Sequence, residues 1–141
     1  MKKFVRIICF LLVVSTLVAI PAYATEQSER ASLFFSAYRA YCYAASSTKI
    51  EVNFYVVGAG IMDELGASRI LVQRSSDQTN WTTVKTFSSA NYGDMIATNR
   101  GTHGATLSCT VASGYYYRAY VTFYAKNSSG YGEKYYYTEI I

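Results

Sequence analysis

Residues 49–56, KIEVNFYV, alternate without a break. Ile50, Val52, Phe54 and Val56 fall on one side, Lys49, Glu51, Asn53 and Tyr55 on the other. Successive side chains of a strand point to opposite faces, so this period of two predicts a strand with one face buried. The same period recurs along the chain. In SLFFSAYRAYCYAA, before it, the alternation is looser; Tyr38, Ala40, Cys42 and Ala44 are predicted inward because Arg39 belongs outside. After a loop expected from Gly58 to Gly66, SRILVQRS turns Ile70 and Val72 inward and Arg69, Leu71 and Gln73 outward. SSDQTN has turn chemistry and leads into WTTVKTF as a returning strand. A second loop, Ser88 to about Gly104, precedes GATLSCTV and YYYRAYVTFYA, joined at Ser113-Gly114. There Ala105, Leu107, Cys109 and Val111 share one face, and Tyr115, Tyr117, Ala119, Val121 and Phe123 another. NSSGYG then turns into a last strand, EKYYYTEI. Seven or eight short strands and no persuasive helical period predict an all-β fold, an antiparallel β-sandwich.

The first residues obey another rule. Lys2, Lys3 and Arg6 precede an uncharged run from Ile7 to Ile20 and then Pro21-Ala22-Tyr23-Ala24. A basic start, a short apolar stretch and a small-x-small ending predict a secretory signal peptide over 1–24. The run is short of the roughly 20 residues that span a bilayer. Thr25 to Arg30 continues as a polar lead-in, taken as 25–32, and the domain is expected over 33–141, with no sorting tail after Glu139-Ile140-Ile141. Loss of Lys2, Lys3 and Arg6 lowers the basic count from 13 to 10 against 9 acids, so the net charge falls from +4 to +1. No case for nucleic acid or anionic lipid survives, since that binding needs a clustered basic patch. The mature chain is therefore expected outside the cell and free of the membrane.

ILVQRSSDQTNWTTVKTF and GYYYRAYVTFYAKNSSGYG resemble the third strand with its hairpin, and the sixth strand with its following loop, of fibronectin type III and related immunoglobulin-like domains. The resemblance implies that Tyr115 occupies the place of the corner tyrosine, whose hydroxyl bonds to backbone upstream. One departure is Phe54, where these domains carry a core tryptophan; Trp81 lies on the hairpin instead. More closely, GAGIMDELGASRILVQRSSDQTNWTTVKTF, with the leader and the tyrosine-rich end, is similar to a family of small secreted proteins of Gram-positive bacteria. That likeness covers nearly the whole mature chain and implies a fold and a compartment, but no activity.

Chemistry-bearing residues are sparse. Cys42 and Cys109, the two cysteines after the leader, would suit a disulfide in an exported chain. In the fibronectin-like order they flank the second strand, however, about 9–10 Å apart, beyond the roughly 7 Å a bridge tolerates. Two buried thiols are therefore favoured over a bridge. His103, the single histidine, sits in TNRGTHG without a partner, and a lone loop histidine is more often solvated than catalytic. Asp63 and Glu64 read as solvent-facing charge, and Asp77, Asp94 and Glu133 cannot be set across a substrate. No spacing suggests a metal or cofactor. Asn80-Trp81-Thr82 and Asn127-Ser128-Ser129 match a glycosylation sequon, which in a bacterial product carries no weight. No enzyme is expected.

What remains is tyrosine. If Tyr115, Tyr117, Ala119, Val121 and Phe123 face the core, Tyr116, Arg118, Tyr120, Thr122 and Tyr124 face outward, joined by whichever of Tyr135 to Tyr137 point the same way. Tyr116, Arg118, Tyr120 and Tyr124 are the candidate ligand-binding residues, for a glycan, cell-wall or protein ligand, since tyrosine presents a flat ring and a hydroxyl at low entropy cost. Cross-strand aromatic pairs also stabilise a solvent-facing sheet by roughly 0.2–1 kcal/mol each, which would account for the same residues. A structural matrix or surface protein that self-associates through the edges of its first or last strand is the alternative.

Overall fold

The computed structural model describes Ala31 and residues 33–141. The leader expected over 1–24 and all of the 25–32 lead-in except Ala31 lie outside the described residues. The described residues form an all-β unit: an antiparallel, curled sheet of six strands, β1 (Phe35–Ser46), β2 (Lys49–Ser75), β3 (Thr82–Ser88), β4 (Ile96–Thr110), β5 (Tyr116–Asn127) and β6 (Gly130–Tyr137). One 3-10 turn, Gly93–Met95, precedes β4. Among the described residues no helix is long and apolar enough to cross a membrane.

β2 organises the whole. The loop expected at Gly58 to Gly66 is not a loop: the chain runs on as one 27-residue strand, which is why six strands stand where seven or eight were expected. Its first part pairs with β1 on one edge and β4 on the other, Val52 lying opposite both Cys42 and Leu107. Its last part pairs with β5 and β3, Ile70 lying opposite both Val121 and Phe87. β6 extends the second set beyond β5. Between the halves the register against β4 jumps from Val57↔Thr102 to Met62↔Arg100, and an irregularity of this kind bends a strand. Gly66 serves close approach rather than a turn, since a Cβ there would collide with the Met95 carbonyl oxygen.

The curl lets side chains of β1 and the first part of β2 pack against those of β5 and β6. Tyr38 on β1 packs its ring 5.3 Å from Phe123 on β5 and 6.4 Å from Tyr136 on β6, and Phe54 on β2 lies 6.2 Å from Phe123. Ile50, Val52, Phe54, Val56, Ile70, Val72, Ala119, Val121 and Phe123 are all buried, as their alternation demands. Ala44, predicted inward, is exposed. Thr122, predicted outward, is buried on the other side of β5, between Arg69 and Tyr135, and its hydroxyl has no partner among the described residues.

The corner position also shifts. Tyr115 is exposed, with the Arg74 guanidinium 4.4 Å from its ring centre. Tyr117 is the buried ring whose hydroxyl donates to the Ala112 carbonyl at 2.6 Å. Beyond β6 the chain keeps to the edge of β5: Ala119 N–H donates to the Thr138 hydroxyl, and Tyr117 and Ile141 exchange two backbone bonds.

Candidate functional site

β5 alternates strictly here, burying Tyr117, Ala119, Val121, Phe123 and Ala125, so Arg118, Tyr120 and Tyr124 emerge on the opposite face. β6 answers in register: Tyr137 stands opposite Tyr120, and Tyr135 opposite Thr122, while Tyr136 turns inward onto Tyr38. β2 contributes Gln73 opposite Arg118 and Leu71 opposite Tyr120.

The hairpin between β2 and β3 adds a further ring. Asp77 accepts hydrogen bonds from the Thr79 and Asn80 amides, the Asn80 side chain and the Ser75 hydroxyl. These bonds, the Asn80 backbone amide foremost, hold its carboxyl well below the usual carboxylate range. Gln78 takes a left-handed φ of 60°, and its carbonyl accepts the Trp81 indole N–H at 3.2 Å. The turn thereby delivers Trp81 to the outer face.

There Arg118 is held on three sides. Its guanidinium carbon lies 4.2 Å from the Trp81 ring centre and 4.4 Å from that of Tyr137, and its Nε donates to Gln73 Oε1 at 2.9 Å. Tyr120 continues the row: Tyr137 is 4.6 Å away at 39°, and Tyr135 6.0 Å away with planes 4° apart. Tyr135 donates its hydroxyl to Glu133 at 3.0 Å. Burial, then the neighbouring Tyr137, pushes the Tyr120 hydroxyl above its ordinary pKa, so it stays protonated and able to donate. The result is one contact chain, Trp81–Arg118–Tyr137–Tyr120–Tyr135.

Of the four residues singled out in the sequence, Arg118 and Tyr120 belong to this chain. Tyr124 forms a separate stacked pair with Tyr131, 5.9 Å apart. Tyr116, exposed opposite Ser75, makes none of these ring contacts. Trp81 and Tyr131 are not among those four residues. Trp81 lies beyond the last β2–β3 pair, Arg74 with Thr82, and is placed by the turn, whereas pairing Lys126 with Tyr131 across NSSG points to the second.

A groove of about 970 Å³ opens on the other side, between β4 and the Phe87–Ile96 segment. His103 lies here, on β4 rather than in a loop, opposite Val56 and 5.8 Å from the Phe54 ring. Its Nε2 is 2.7 Å from the Asp94 carbonyl oxygen, which occupies that nitrogen. Glu64 pairs with Lys126 at 3.1 Å, and Glu133 accepts the Tyr135 hydroxyl. Among the described residues no group of three or more His, Cys, Asp or Glu could hold a metal ion. Cys42 and Cys109 are free thiols on either side of β2, opposite Val52 and Ile50. No protein-family model, no curated protein and no solved structure matches this chain.

Proposed function

We propose that the chain is an exported, non-catalytic binding module of fibronectin type III-like architecture, which takes a glycan, cell-wall or protein ligand on the outer face of β5 and β6. The observation that carries this is the continuous row from Trp81 to Tyr135, with Arg118 fixed inside it. Stacked rings offer flat apolar surface to a sugar or a peptide, and the hydroxyls offer hydrogen bonds at the rim. Arg118 loses little further freedom on binding, because two rings and Gln73 already hold it.

The architecture is supported by the pairing order. Counting β2 twice, one set runs β1–β2–β4 and the other β3–β2–β5–β6, the order of the two layers in fibronectin type III domains. The Tyr117 hydroxyl bond to Ala112 has the sense of a tyrosine corner. The unbroken β2 and Phe54 in the core are departures from that pattern.

A glycan and cell-wall binding array, run on wild type beside Trp81→Ala and Tyr120→Ala, tests the reading. Either substitution should abolish the wild-type signal, while Tyr116→Ala should leave most of it. Equal binding by all four proteins would remove the face as the site.

A further inference from the structure

β4 differs from the other strands in what lies along its free edge. It is hydrogen-bonded to β2 alone among the described residues. Val111 N–H donates to the Thr48 carbonyl, and Cys109 lies opposite Ile50, so the backbone groups of Val111, Cys109, Leu107, Ala105 and His103 point toward β2. By alternation, those of Thr102, Gly104, Thr106, Ser108 and Thr110 point away from it. An edge of unpaired N–H and C=O groups is a template for another strand unless charge, proline or a bulge protects it. β1 carries Arg39, β3 carries Lys85, and β6 carries Glu133 and Lys134. From Gly101 to Thr110, β4 carries no formal charge and no proline.

We propose that this edge pairs antiparallel with the β4 of a second copy of the same chain. The absence of charge selects that occupant: a two-fold axis sets a strand against itself, so any charge would meet its like or a near neighbour. With Thr106 opposite Thr106 of the second copy, Gly104 meets Ser108 and Thr102 meets Thr110, all small and uncharged. This stretch supplies roughly ten new backbone hydrogen bonds. On the inner side Ala105 meets Leu107 of the second copy, and the incoming strand covers Ala105, Cys109 and Val111, which are only partly buried. Gly104, Ala105, Thr106, Leu107 and Ser108 also line the groove, so it runs along the same stretch of β4. The β5–β6 outer face stays free, and the proposal does not rest on it.

Sedimentation across a concentration series up to the millimolar range, with amide exchange on the same samples, tests the pairing. Wild type should reach twice the monomer mass, and the Gly104, Thr106 and Ser108 amides should become protected as it does. Thr106→Lys should remain monomeric with its circular dichroism unchanged, whereas Thr86→Lys, on the β3 edge, should still dimerise. Wild type that stays monomeric throughout overturns the proposal. So does a dimer in which those three amides exchange freely, or one that survives Thr106→Lys.

Discussion

β5 and β4 both run antiparallel to β2, yet they bury very different numbers of side chains. β5 has a strand on each edge and buries its entire inner row, from Tyr117 to Ala125. β4 has one neighbour among the described residues and buries only Leu107 of its fifteen, filling most other positions with Thr, Ser, Gly and Ala. A central strand with large inward rings anchors a fold. A flanking strand of small residues is left adaptable, and local opening is drawn from such regions.

The sharpest test of that contrast is a pair of truncations followed by chemical denaturation. Phe123→Ala removes a fully buried ring that touches Tyr38 and Phe54, and it should cost about 3–5 kcal/mol. Leu107→Ala, beside an open groove that can relax, should cost about 2 kcal/mol. Equal losses would break the comparison. A smaller effect concerns the link between the two strands: Tyr117→Phe deletes the bond to Ala112 and should cost about 1 kcal/mol in the same assay.

The cysteines give the finest reading. Burial pushes the Cys42 thiol from 9.0 up to about 12, with Cys109 adding to the shift, and burial raises Cys109 as well. A folded-state pKa above the unfolded one means that the native state holds its proton more tightly. This stability is complete below pH 9 and is lost as pH rises toward 12. Melting temperatures over that window should fall less steeply for Cys42→Ala than for wild type. Cys109→Ala, on the less covered strand, should make the smaller difference.

Period two made most of the core legible, since each inward residue of the first part of β2 and of β5 from Tyr117 on was readable from its neighbours. It failed where composition misled. Gly58 to Gly66 looks like a loop, but Gly66 is there because the Met95 carbonyl leaves no room for a side chain. Thr98 to Gly104 looks like a loop too, because β4 is built from residues with little to bury; His103 was misplaced with it. At the site, Arg118 and Tyr120 followed from alternation alone. Trp81 did not, because its position depends on the bonds that Asp77 accepts within the turn. Thr122 differs from its expected exposure for a related reason: alternation gives a side, and only the cross-strand neighbours Arg69 and Tyr135 decide whether that side is covered.

Trp81 is the single tryptophan of the chain, and it lies against Arg118 at one end of the aromatic row. The protein's indole fluorescence therefore originates wholly from the surface proposed to take the ligand. Its emission wavelength and its quenching by iodide provide an unlabelled optical probe of occupancy there, blind to events along β4.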